Sequence, residues 1–156
     1  MGYENTAGLS VHNHYGPRTT GGASGTEHSQ NSRQTLTYDL TGEMLNSSFV
    51  PPVWFPKGAK VVRCTLVVDE VFVVSASGTV AIGGTAPGTN GVVLTEAQLE
   101  AVGTKDVSAS AVGTWATAST TGTTAAQRVT KAITGTVGAT SGKGKLLVEF
   151  VRMTNT

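Results

Sequence analysis

The sequence predicts an all-β fold: a single β-sandwich or jelly-roll-like domain with an extended N-terminal arm and one short helix near residues 95–101. Three observations predict it. Gly, Thr and Ser fill 57 of the 156 positions (20 Gly, 25 Thr, 12 Ser); Thr joins Val in favouring strands, while Gly and Ser punctuate them. Val-rich stretches alternate with polar residues at a period of two. Seven or eight such stretches, each bounded by turn residues, succeed one another about every ten residues, which is the rhythm of a sandwich. Disorder would explain the Gly/Ser/Thr excess alone, but disordered chains are rich in charge and poor in Val, and only 13% of this chain is charged.

Residues 1–33 read as the arm. From Leu9 to Arg33 the chain holds all three histidines and almost no aliphatic side chains, with a period of neither 2 nor 3.6. The domain, 34–156, opens on a half-buried strand from Gln34 to Thr41, with Leu36, Tyr38 and Leu40 on one face. Phe49 to Phe55 is apolar but interrupted by Pro51 and Pro52, so it is an edge strand or extended connector. A turn at Pro56–Ala59 leads into the strongest strand, Lys60–Val68, where Val62, Cys64, Leu66 and Val68 share a face. Asp69 and Glu70 break its phase, so a bulge is expected before Val71–Val74. Thr79–Ile82 is a short strand, and Thr85–Gly91 a turn-rich loop. Thr95 and Gln98 have the spacing of a capping box for the helix at 95–101, which Gly103 can end. Val107–Ala118 alternates weakly. Arg128–Val137 and Lys145–Met153 form the arms of an expected hairpin around Ser141–Gly144.

Length sets one domain with a core large enough to need no staples. One cysteine excludes an internal disulfide or a Cys-based zinc site. A formal net charge of +1 gives no footprint for nucleic acid or an anionic membrane, and no apolar run approaches 18 residues. The opening MGYENTAGLS lacks the basic and apolar segments of a secretory signal. Its Met-Gly start is too short a match to stand as a myristoylation site.

Chemistry-bearing motifs are few. His12 and His14 would face the same side of an extended segment, and three chains on a threefold axis could offer six nitrogens to one metal. Contacts of a polar arm account for both more simply, so no metal and no cofactor is expected. Gly138–Gly144 has the look of a phosphate loop but is one residue short, lacks a Ser or Thr after Lys143, and leads into a strand instead of a helix. There is no GxSxG elbow, and histidines on an arm lack the rigid support catalysis needs. Cys64 reads as an inert core thiol. Asp69 and Glu70, as strand neighbours, point to opposite faces. Asn46-Ser47-Ser48 is a glycosylation sequon only in form. Charge is segregated along the chain. Residues 69–106 hold Asp69, Glu70, Glu96, Glu100 and Asp106 against Lys105, net −4; residues 107–156 hold Arg128, Lys131, Lys143, Lys145 and Arg152 against Glu149, net +4. The two regions either neutralise each other within the domain or form complementary faces between subunits.

Pro56–Phe72, with its Pro-x-Gly-Ala turn opening a long Val-rich strand, resembles a pattern in small structural proteins of tailed bacteriophages. Thr79–Gly84, and the ending from Thr134 through Gly142 to Arg152, are similar in the same proteins; the resemblance covers residues 50–153 in patches. It implies a non-enzymatic virion protein, a capsid decoration (cement) protein on the capsid surface, assembled in the host cytoplasm. The implied partners are the major capsid protein and further copies of the chain, as a homotrimer, with no nucleic acid and no membrane. An arm could then cover a shell, with Tyr3, Leu9, Val11, His12, His14, Tyr15, Pro17 and Arg18 as its anchors. The alternative is a fibre or tail-associated jelly-roll module binding cell-surface glycan, with Trp54 and Trp115 as stacking platforms; ordinary core or rim packing accounts for both rings more simply.

Overall fold

The computed structural model describes residues 33–152, and the candidate arm anchors Tyr3, Leu9, Val11, His12, His14, Tyr15, Pro17 and Arg18 lie outside them. Arg33–Met153 forms one compact unit, and it is all-β. Its strands are β1 (Arg33–Thr41), β2 (Trp54–Phe55), β3 (Ala59–Glu70), β4 (Thr79–Gly83), β5 (Gly91–Thr95), β6 (Gly103–Asp106), β7 (Ala111–Val112), β8 (Gln127–Arg128), β9 (Thr130–Thr134) and β10 (Lys143–Arg152). One sheet has the order β1-β10-β3-β6, the other β7-β5-β4-β9, and β2 pairs with β8. Only Val129 separates β8 from β9, and its N–H donates to the Val53 carbonyl (2.8 Å). The segment 127–134 therefore serves β2 with its first residues and β4 with its last. All pairings are antiparallel, and the sheet orders are those of a jelly roll.

Alternation builds the core as expected at the two ends of the chain. Leu36, Tyr38 and Leu40 of β1, and Leu146, Val148 and Phe150 of β10, face inward in one cluster with Val80, Ile82, Val92 and Leu94 of the other sheet. The Tyr38 hydroxyl is buried without a hydrogen-bond partner among the described residues. β3 departs from the expected phase. Phe150 pairs with Val61 and Glu149 with Arg63, so Val62 is an extra residue and Val61, not Val62, joins Cys64, Leu66 and Val68 in the core. A second register shift falls at the acidic dipeptide: Gly144 pairs with Val68 and Lys143 with Glu70, leaving Asp69 over. That is where a bulge was expected; the strand does not resume, and 71–74 contributes only a Val74–Val137 bridge.

The expected terminal hairpin is not formed. Residues 130–134 pair with β4, while 143–152 lie between β1 and β3. Residues 135–142 cross between the sheets and end at Gly142, which takes a positive φ of 95° and where an added Cβ would lie 2.1 Å from the Phe72 ring. The helix near 95–101 is shorter than expected: α2, as we number it, spans Glu96–Leu99, with the Gln98 Oε1 accepting from the Thr95 N–H (2.9 Å). Gly103 opens β6 and does not cap the helix. Val107–Ala118 is mostly 3-10 turns, at Ser108–Ser110 and Gly113–Trp115, around two-residue β7. Three elements were not anticipated: β5, β6, and a five-residue helix α1 (Gly42–Asn46) whose N-cap hydroxyl, Thr41 Oγ1, accepts from the Met44 N–H (3.1 Å).

Candidate interaction surfaces

Antiparallel register decides which strand ends meet. Thr41 pairs with Lys143 and Lys143 with Glu70, while Gly103 pairs with Val68, so these termini share one end of the first sheet. In the second, Thr79 meets Thr95 and Thr134. The segments leaving these termini, helix α1 (Gly42–Asn46), 71–78, 96–102 and 135–142, cluster at that end. Hydrogen bonds tie them together: Phe72 N–H to the Leu99 carbonyl (3.2 Å), Ser75 N–H to Thr136 (3.0 Å) and Gly138 N–H to Val73 (2.7 Å). Asn46 Nδ2 adds a bond to the Val137 carbonyl (2.7 Å). Among the described residues, the exposed large apolar side chains on 71–78 and 96–102 are Val71, Val73 and Val102.

This end is acidic. Glu43, Asp69, Glu70 and Glu100 are exposed there, and Glu96 accepts the Ser77 N–H (2.7 Å). No salt bridge among the described residues involves any of the five. Among the described residues, Lys143 is the exposed cation beside them. Lys105 is held on the Ala101 carbonyl and Lys131 on those of Met44, Ser47 and Phe49; burial lowers the ammonium pKa of Lys131. The opposite end is basic. β1 starts there at Arg33, β10 ends there at Arg152, and Lys57, Lys60 and Arg128 lie nearby, since Arg152 pairs with Ala59 and β2 with β8. Among the described residues, its two acids are engaged: Glu149 by Arg33 (3.1 Å) and Asp106 by Arg63 (3.2 Å). Hydrogen bonds from Ser108 are the larger cause holding the Asp106 carboxyl below its usual range, with Arg63 adding to them. The chain from 107 to 126 adds no charge at all. Register re-sorts the sequence blocks: Asp106 of the acidic block lies toward the basic end and Lys143 of the basic block at the acidic one, while Glu43, Arg33, Lys57 and Lys60, from outside both blocks, join the two ends.

The two tryptophans separate. Trp54 is 59% exposed, on β2 opposite Arg128. Trp115 is 0% exposed: its ring stacks on Phe55 at 4.4 Å, Phe55 meets Phe150 at 5.0 Å, and its Nε1–H donates to Gln127 Oε1 (3.1 Å). As a glycan platform Trp115 is corrected, because it offers no ring face to a ligand; its indole fills the core at the basic end. Cys64 is buried, and burial, with the Asp106 and Glu149 carboxylates adding to it, pushes its thiol up to about 12. A thiol so held is not a nucleophile at neutral pH. Among the described residues, no three His, Cys, Asp or Glu side chains gather as a metal site, and no helix is long and apolar enough to cross a membrane.

One broad face carries no charge. Among the described residues, the outward positions of the second sheet are the half-buried or exposed Val93, Val112, Ala132 and the threonines at 79, 95, 130 and 134, with Ala81 and Gly83 buried between them, set by alternation against the inward Val80, Ile82, Val92 and Leu94. Small side chains on a sheet make a flat surface that a partner can approach without desolvating charge. Sequence reading missed this face because β5 was hidden behind a glycine-rich loop. No family of known proteins, no curated protein and no solved structure matches this chain.

Proposed function

We propose that this chain is a phage virion structural protein, a decoration or cement protein that binds the outer surface of the assembled capsid. Residues 1–33 serve as its anchoring arm, the major capsid protein is its partner, and copies associate as a homotrimer. The role is structural, not catalytic. The observation that carries the reading is the strand order, β1-β10-β3-β6 over β7-β5-β4-β9, which is an architecture used by viral capsid and lectin domains. The charge-free sheet face supports it, since it is suited to burial against another protein. A cement protein stabilises a shell because it binds the assembled state alone, so its effect follows mass action on that state. An extended arm adds contact area or a strand to a neighbour's sheet edge.

The test is deletion of residues 1–33 and measurement of copies per particle. The reading expects the shortened chain to keep its cooperative melt and lose incorporation. Normal occupancy with the arm removed would refute anchoring by the arm. A second reading, a fibre or tail module recognising glycan, rests on exposed Trp54 beside Arg128. Selective binding on a glycan array, abolished by Trp54→Ala, would favour it over the cement role.

A further inference from the structure

We propose that copies of this chain associate head to tail, the acidic loop end of one packing on the basic end of the next. The argument rests on complementarity between two surfaces of the same molecule, and it concerns the chain alone, independent of any capsid. At one end Glu70 and Glu100 flank the exposed Val71 and Val102: the Phe72–Leu99 hydrogen bond and the Val68–Gly103 pairing place those segments side by side. At the other, Lys57 and Arg152 lie together around Ala59, with exposed Trp54 and Arg128 on the adjacent ribbon.

An apolar centre rimmed by charge on one surface, and Trp and Arg on the other, is the composition of a specific interface. Opposite potentials steer the two ends together and penalise like-end contacts, since acid on acid and base on base repel. The contact is heterologous: the two surfaces differ, so it closes into a ring if the rotation between copies permits and otherwise extends. A threefold ring would satisfy it with every end occupied. Lys57, Arg128 and Arg152 at one end, and Glu70 and Glu100 at the other, are exposed.

The experiment is sedimentation of the full chain with charge-reversed partners. At ~50 mM salt the native chain is expected above monomer mass, shifting toward monomer at ~500 mM as screening shortens the reach of the charges. Glu70→Lys/Glu100→Lys and Lys57→Glu/Arg152→Glu should each weaken self-association about tenfold or more. Mixed one to one, the two variants should associate as alternating species of even copy number, because each then offers ends complementary to the other's, whereas a threefold ring of the mixture would hold one like-charged contact. Thermal melts establish that both fold; if either does not, the neutral pairs Glu70→Gln/Glu100→Gln and Lys57→Gln/Arg152→Gln replace the reversals, and each is expected to weaken association. A native chain that stays monomeric at low salt overturns the proposal. So does an oligomer indifferent to salt and to both variants, or a mixture of reversed variants that fails to associate.

Discussion

Replacing each tryptophan by alanine should separate two residues that look alike in the sequence. Trp115→Ala removes a wholly buried indole, which costs about 3–5 kcal/mol for the cavity and lost transfer energy. Losing the 4.4 Å stack on Phe55 adds about 0.5–1.5 kcal/mol. Gln127 Oε1 loses a donor, but its residue is half-buried, so water replaces much of that bond. The sum is about 3.5–6.5 kcal/mol, set against a stability of roughly 6–18 kcal/mol for 120 residues (33–152) at typical values per residue. Trp54→Ala removes a side chain that is 59% exposed and should cost under about 1 kcal/mol. Urea unfolding of both variants reads the difference directly. Fluorescence reads it independently: in Trp54→Phe the remaining indole should emit blue and resist acrylamide, and in Trp115→Phe it should emit red and be quenched. Equal unfolding costs, or acrylamide reaching Trp115 in the native state, would refute the aromatic core described for the basic end.

Three further outcomes follow from local geometry. Gly142→Ala should destabilise by about 2–5 kcal/mol in urea melts, since a Cβ meets the Phe72 ring at 2.1 Å and the residue holds φ 95°. Lys131→Met leaves the carbonyls of Met44, Ser47 and Phe49 without their ammonium donor; a loss of about 1–3 kcal/mol is expected, with hydrogen exchange rising first in α1. Cys64 should resist iodoacetamide until global unfolding. Its folded pKa is raised from 9.0 to about 12, so the folded state holds that proton more tightly. The stability this confers is complete below pH 9 and is lost as pH rises toward 12, by up to about 1.4 kcal/mol per unit. Unfolding of Cys64→Ala should lack that component of the alkaline decline.

What the sequence reveals tracks how local its cause is. β1 and β10 were legible because each is half-buried, and a period of two survives in Leu36–Tyr38–Leu40 and Leu146–Val148–Phe150. β3 was legible as a strand but not in phase, because the extra residue at Val62 is set by its pairing with β10. The terminal hairpin failed for a topological reason. In a jelly roll, neighbours in sequence often cross to the facing sheet, and only tertiary contacts such as Phe72 on Gly142 choose between crossing and turning back. β5 was concealed because Val92, Val93 and Leu94 are a short apolar run with no alternation. The same limit applies to the interaction surfaces. Segregation of charge along the chain was visible, but gathering Glu43 with Glu100, or Lys57 with Arg152, needs strand register. Core or rim packing was the simpler reading of both tryptophans, but nothing marked Trp115 as the core one and Trp54 as the rim one, since the irregular turn that carries Trp115 has no period to read.

The most direct test of the cement role is to fractionate particles from cells that make this chain and locate it by electron cryomicroscopy. The account predicts symmetric copies on the outer surface of the shell, absent when residues 1–33 are deleted. A chain found only in the slowly sedimenting soluble fraction, with none on any particle, would contradict it.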